Sequence, residues 1–250
     1  MKILIDADMV IFQACSIVEQ VIEWEPDFFT LHADAAEAKR IVDDRVQSLV
    51  EKVLNHYQYT GSYEIIMCIS AYPNFRYDVL STYKSNRKGK RKPICYNAVC
   101  SWVKEEYKTC CKDGLEADDC LGILATKHKN SIIVSGDKDM KQIPGRFFDF
   151  SRDVFYDHTA QEADFWFFYQ CLVGDATDGY SGCPGIGDKT AQKLLEEEGV
   201  NWRTVVRAYE KKKLSEDVAL QQARVARILR NVDYDFKAKK VKLWEAPSDD

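Results

Sequence analysis

The chain is expected to fold as an α/β protein with a doubly wound, mainly parallel sheet flanked by helices, followed by a helical region. Three observations lead there. KILI (2–5), EIIMCIS (64–70) and SIIVS (131–135) are short, uninterrupted apolar runs, the pattern of strands covered on both faces. Between them lie segments with helical spacing, the longest from about residue 33 to 57, where Val42, Val46, Leu49, Val50, Val53, Leu54 and Tyr57 recur on one face. From about Gln161 the strand pattern stops, and EADFWFFYQCLV, DKTAQKLLEEEG, WRTVVRAYEKK and DVALQQARVARILRNV follow as helical stretches.

Taken in order, the first strand ends at Asp6. The second is followed by a basic, aromatic segment (75–93) and a helix around 96–108. LEADD (115–119) opens the next helix, SIIVS runs into Gly136-Asp137, and FFDF (147–150) reads as a fourth strand. Strands alternating with helices imply parallel crossovers, and in such sheets ligands bind beyond the carboxyl ends of the strands. Asp6 and Asp137 fall on that side. The expected division is a core over 1–160, with an arch or clamp over about 76–104, and a helical region over 161–250.

Bulk properties narrow the class. At 250 residues with 46% hydrophobic and 30% charged side chains, the chain can bury a sizeable core. No apolar run is long enough to span a bilayer, so no membrane partner is expected. Asp6 and Asp8 interrupt MKILIDADMVIF, which excludes a secretory signal reading. Nine cysteines without a CxxC pair or a Cys/His zinc spacing read as reduced thiols in a cytoplasm, and the four histidines form no ligand pattern. The net charge of −5 hides an uneven distribution: KSNRKGKRK (84–92) carries six cationic side chains, opposed by tight acidic groups. That contrast suits a protein that holds a polyanion and cuts it with divalent cations.

The acidic groups are Asp6; Glu116, Asp118 and Asp119; Asp137 and Asp139 in SGDKDMKQI; and Asp175 and Asp178 in VGDATDGYSG. Each has a simpler reading, as a helix cap or an Asx turn. Together at one sheet edge they suggest a pocket of hard oxygen donors, which favours Mg²⁺ or Mn²⁺ over zinc. Two such ions would serve phosphodiester hydrolysis. In CPGIGDKTAQKLL (183–195), Pro184, Gly185 and Gly187 form a turn whose N–H groups can face a phosphate at the start of a helix, or simply join two helices. In FRYDVLSTYKSNRKGKRKP (75–93), Arg76, Tyr83, Lys84 and Arg87 suit a phosphate clamp with Tyr83 stacked on a base, or a solvated face.

The ordered set ILIDAD, FRxxxxxxYKSNR, LEADD, SGDKDMKQI and GDATDGYSGCPGIGDKTAQKLL resembles the 5′-nuclease superfamily of flap endonucleases and 5′→3′ exonucleases. IDADMVIFQA and ARILRNVDYDF…KLW look most like the exonucleases of short-tailed phages. The resemblance implies a divalent-metal-dependent 5′→3′ exonuclease with flap-endonuclease character, acting as a monomer on duplex DNA with a 5′ end, flap or nick, and on RNA–DNA hybrids. It implies Asp6, Glu116, Asp118 and Asp119 around a first metal, and Asp137, Asp139, Asp175 and Asp178 around a second. Lys84 and Arg87 are implied as catalytic contacts to the scissile phosphate. Arg76, Tyr83, Lys84, Arg87, Lys88, Gly185, Gly187, Lys189 and Thr190 are implied as DNA contacts. Gly185 and Gly187 would belong to a helix–three-turn–helix motif, which in several members holds K⁺.

One position departs from the pattern. The family has an active-site Asp just past the second strand, and Ala71 aligns with it here; Ser70 is a poor Mg²⁺ ligand and Asp78 lies too far along. The departure implies slow turnover with DNA binding retained. The alternative is a catalytically weak, structure-specific DNA-binding protein of the same fold. A PIN-like ribonuclease is a third reading that leaves the glycine turn without a purpose.

Overall fold

The computed structural model describes residues 1–87 and 89–247. In chain order its elements are β1 (Lys2–Asp6), α1 (Ala7–Val18), β2 (Gln20–Glu25), β3 (Phe28–His32), α2 (Ala35–His56), β4 (Glu64–Cys68), α3 (Arg76–Val79), α4 (Tyr96–Glu106), β5 (Thr109–Cys110), α5 (Ala117–Lys127), β6 (Ser131–Ser135), β7 (Gly145–Asp149) and β8 (Val154–His158). There follow α6 (Ala160–Val173), α7 (Asp188–Glu198), α8 (Trp202–Glu210), α9 (Glu216–Ala226), β9 (Tyr234–Asp235) and β10 (Lys240–Val241). Six strands form one sheet in the order β5-β4-β1-β6-β7-β8. Every pairing in it is parallel except β7 with β8. The architecture is α/β, with a mainly parallel sheet flanked by helices and a helical region after it.

The period of two along a strand sends Ile3 and Ile5 to one face and Leu4 to the other. Ile3 and Ile5 pack with Met67, Ile132, Val134 and Phe148 against α1, α2 and α4. Leu4 packs with Ile66, Cys68, Ile133 and Phe147 against α5. Because both faces are covered, the strands read as unbroken apolar runs. Burying one such side chain stabilises the fold by about 1.5–3 kcal/mol. A third core joins α6 to α9 through Phe167, Leu172, Leu195, Val205, Tyr209 and Ala223. The chain then returns to α5, where Ile228, Leu229 and Tyr234 enter the Leu4 cluster. Gly122 permits this approach: a Cβ there would meet the Leu229 carbonyl oxygen at 2.4 Å.

The structure departs from the expected outline in four places. The last helical stretch ends at Ala226, not near residue 232, and the chain beyond it follows the surface of α5. β2 and β3 form an antiparallel hairpin, and β8 adds an antiparallel edge strand. In place of a helical arch, the described residues between β4 and α4 hold the four-residue α3 and one 3₁₀ turn, Ser85–Arg87. KSNRKGKRK has no apolar side chain with which to anchor a helix to the core. Its first residues lie on the 175–178 loop: Lys84 N–H donates to the Asp178 carbonyl at 2.7 Å, and Asn86 Nδ2 donates to the carbonyls of Ala176 and Thr177. Lys88 falls outside the described residues.

Candidate active site

Parallel strands β1, β4 and β6 present their carboxyl ends side by side, and the residues that follow them line one cavity of about 540 Å³. Asp6, Asp8, Glu116, Asp118, Asp137, Asp139, Asp175 and Asp178 all lie on its wall, with Lys84, Arg87 and Lys92 from the clamp. No Cys or His contributes to this lining.

Local structure sets each carboxylate. Asp6 caps α1 by accepting the Met9 N–H at 3.1 Å, while its other oxygen accepts the Ser135 hydroxyl at 2.8 Å. Asp137 accepts the Asp139 N–H at 2.8 Å. Asp175 accepts the N–H groups of Thr177 at 2.6 Å and Asp178 at 3.3 Å. The Asx-turn readings therefore hold, and the same turns direct these residues at one cavity.

LEADD divides its labour. Glu116 precedes α5 and, with Asp118, faces the cavity. Asp119 was expected among the metal carboxylates, but it is fully buried and does not line the cavity. Its oxygens accept two N–H groups of Arg76 at 2.7 and 2.8 Å, the Glu116 N–H at 3.1 Å and the Leu229 N–H at 3.1 Å. Four donors occupy its acceptor sites, so it is a structural anchor in this arrangement.

Arg76 and Tyr83 likewise differ from the clamp expectation. Arg76 is 3% exposed and its guanidinium is committed to Glu116, Asp119 and main-chain carbonyls, which removes it from contact with DNA phosphates. Tyr83 is 2% exposed and donates its hydroxyl to Glu116 at 2.7 Å, so its ring has no face to offer a base. The accessible aromatic rings on the cavity wall are instead Tyr72 and Phe12.

Lys84 and Arg87 both line the cavity. Lys84 Nζ lies 2.5 Å from Glu116 Oε1 and 3.5 Å from Asp178 Oδ2, and Arg87 pairs with Asp178 at 2.6 Å. Around the glycine turn between α6 and α7, Gly185, Gly187, Lys189 and Thr190 are all exposed, and Gly185 adopts φ +74°. Space beside Gly187 is open, since a Cβ there would meet nothing within 4 Å.

Electrostatics follow from this crowding. Burial, then repulsion from Asp8 and Asp137, pushes Asp6 up to about 6, against the hydrogen bond from Ser135. Burial and the neighbouring Asp137 push Asp139 up to about 7. Asp118 and Asp178 are raised too, both chiefly by burial. Burial also opposes ionisation of Glu116, but Arg76 and Lys84 outweigh it and hold the group below its ordinary value. Among the described residues no three His, Cys, Asp or Glu side chains are gathered closely enough, as placed, to hold an ion. Even so, the donor chemistry fits a hard divalent cation: oxygen ligands alone, in a pocket where burial disfavours the charged forms of Asp6, Asp118, Asp139 and Asp178.

Asp8 is the residue that sequence reasoning missed. One oxygen accepts the Ser70 N–H at 3.2 Å, immediately past β4, and the other accepts the Tyr96 hydroxyl at 3.0 Å. Ala71 does not line the cavity, and its N–H donates to the Leu115 carbonyl. A carboxylate thus stands at the end of the second core strand after all, delivered from α1. The signal was the second Asp of IDAD, which reads by itself as first-turn acidity of a helix.

Comparison with known proteins identifies the family of the chain. The family described as 5′-3′ exonuclease, N-terminal resolvase-like domain, matches residues 2–162. The exodeoxyribonuclease of Enterobacteria phage T3 and the exonuclease of Escherichia phage T7 are each 28% identical, the alignments covering 97% of this chain and 92% of theirs. Among solved structures, phage T5 5′-exonuclease with bound divalent metal ions (zinc) superposes with a TM-score of 0.63 at 16% identity, covering 90% of this chain and 88% of that one. The T5 D15 flap endonuclease in complex with DNA and metal ions gives 0.62 at 15% identity, with the same coverage; these two likenesses concern the fold. With more than half its length matched, the chain belongs to the 5′–3′ exonuclease family, and the protein is a nuclease that hydrolyses phosphodiester bonds.

Proposed function

We propose that the protein is a divalent-metal-dependent 5′→3′ exonuclease with flap-endonuclease character, acting on duplex or branched DNA by a two-metal mechanism. The observation that carries this reading is the single cavity at the carboxyl edge of the sheet, with eight carboxylates on its wall and a cationic clamp beside it. Asp6, Asp8, Glu116 and Asp118 would hold one Mg²⁺ or Mn²⁺, and Asp137, Asp139, Asp175 and Asp178 a second. When bound, such ions supply an activated water and charge stabilisation at the leaving oxygen.

The chain's own groups do the rest. Lys84 and Arg87 place two cations on the cavity wall, where they would hold a phosphate in reach of the carboxylates. The exposed turn at Gly185 and Gly187, followed by Lys189 and Thr190 at the start of α7, offers main-chain N–H groups to a duplex backbone without reading bases. Asp8 supplies the negative charge that Ala71 lacks, which favours a working enzyme over the non-catalytic DNA-binding alternative. Action on RNA–DNA hybrids, a K⁺ ion at the glycine turn and a monomeric state rest on the resemblance alone.

End-labelled duplexes test this reading. With Mg²⁺, label at the 5′ end should be released as short products while 3′ label stays in long fragments, and a chelator should stop the release. Binding without release at saturating enzyme and metal would favour the non-catalytic alternative.

A further inference from the structure

We infer that Arg76 is a positioning residue that couples the glycine turn to the active-site carboxylate Glu116; this rests on the reading of that turn as a duplex grip. A guanidinium has five N–H donors, and all five are used here. Nε donates to the Val225 carbonyl at 2.9 Å, and one terminal nitrogen to Glu116 at 3.3 Å and Asp119 at 2.7 Å. The other terminal nitrogen donates to Asp119 at 2.8 Å and the Arg227 carbonyl at 2.7 Å. Three separate parts of the chain meet on this one group: the base of the clamp, the start of α5 and the end of α9.

The two carbonyls belong to the C-terminal end of α9, where helix carbonyls lack internal partners and a cation is favoured. Further along the same helix, Gln222 is 6% exposed and its Oε1 accepts the N–H of Gly182, three residues before Gly185, at 3.0 Å. Gln221 donates to the Val79 carbonyl at 2.8 Å, tying α9 to α3 as well. A continuous series of buried polar contacts therefore runs from the turn, through Gln222 and α9, to Arg76 and Glu116. Glu116 in turn holds Lys84 and Tyr83. A duplex seated on the turn orders Gly182, and α9 passes that order to the cavity wall.

Hydrogen exchange tests the coupling without any turnover. In chelator, adding a 5′-ended duplex to the parental protein should slow exchange both in residues 181–187 and in the amides of Glu116 to Cys120. Coupling of ordinary strength makes the second effect about 5–150-fold. Gln222→Ala and Arg76→Lys should keep protection at the turn and lose it at Glu116 to Cys120; Gln222→Ala removes no buried charge and serves if Arg76→Lys fails to fold. In single-turnover cleavage at saturating enzyme, both variants should lower the rate on a long duplex while the half-saturating enzyme concentration stays within about threefold, well below the tenfold that marks 1.4 kcal/mol of binding. Combining them should slow the rate no further than the worse single change. Protection at Glu116 to Cys120 that survives in a folded Gln222→Ala protein would overturn the inference, as would protection confined to the turn in the parental protein. Absence of protection at the turn itself would overturn the duplex-grip reading instead.

Discussion

Replacing Asp8 by Asn removes one negative charge from the cavity and leaves an oxygen that can still accept the Ser70 N–H or the Tyr96 hydroxyl, now 3.2 and 3.0 Å from the carboxylate. The local scaffold should therefore survive, with the melting temperature little changed. Metal affinity should not. Opposite unit charges 4 Å apart attract by about 4 kcal/mol at an effective dielectric of about 20, before dehydration is counted. Even partners that only support metal ligands cost about 10–100-fold when changed. We expect Mn²⁺ affinity, measured by calorimetry on the DNA-free protein, to fall by at least about tenfold, or about 1.4 kcal/mol. Single-turnover cleavage at limiting metal should fall with it. Ala71→Asp in the parental protein should change little, because Asp8 already stands at the end of β4; added to Asp8→Asn it should restore Mn²⁺ binding. Unaltered Mn²⁺ affinity in the folded Asp8→Asn protein would refute this reasoning, and a large gain from Ala71→Asp alone would show that the carboxylate was missing.

Other consequences can be measured directly. Lys84→Ala should slow cleavage by about 100-fold or more, as loss of a preorganised charge-stabilising group does, and should also lower the melting temperature, because the Glu116 carboxylate is 7% exposed and loses a partner at 2.5 Å; a parental rate would remove Lys84 from the clamp. Because the folded values of Asp6 (about 6) and Asp139 (about 7) lie above the ordinary 3.8, the folded chain retains protons that the unfolded chain has lost, so the pocket's contribution to stability falls as pH rises from about 4 to about 7. Mg²⁺ should therefore raise the melting temperature more at pH 8 than at pH 5, and equal shifts would contradict the charge account. In the basic strip, Arg91 is paired with Glu19 at 2.7 Å, so changing exposed Lys90 to Ala should flatten the salt dependence of DNA binding by about 0.9 for the phosphate it neutralises, whereas Arg91→Ala should flatten it less. Gly187→Ala adds a Cβ that meets no protein atom within 4 Å, so stability should change by less than about 1 kcal/mol while duplex binding weakens; unchanged binding would place the duplex elsewhere.

What could be read from sequence follows from what periodicity and spacing report. KILI, EIIMCIS and SIIVS are apolar on both faces because helices cover both faces, so the three central strands were legible. β8 and the β2–β3 hairpin were not: the hairpin is exposed along nearly all its length, with Trp24 at 63%, and β8 has no fully buried side chain, Phe155 and Tyr156 packing against the core only in part, so neither imposes a clear pattern. Clustered carboxylates at element ends located the cavity, but sequence gives charge without depth. Arg76 and Tyr83 sit among surface lysines and read as clamp residues, although both are buried. Asp119 reads like Asp118, one residue away, yet the turn of α5 sends one side chain to the cavity and the other to a buried arginine. Asp8 escaped notice because its role depends on the end of β4 lying beside the start of α1, a juxtaposition made by the sheet order β4-β1.

The most direct test is a crystal structure of the protein with Mn²⁺ and a 5′-ended duplex, read by the anomalous signal of manganese. The account requires two peaks about 4 Å apart, one beside Asp6, Asp8, Glu116 and Asp118, the other beside Asp137, Asp139, Asp175 and Asp178, with a phosphate held between them and Lys84. Manganese bound away from this cavity, or a cavity that binds the duplex with no metal in it, would contradict the account.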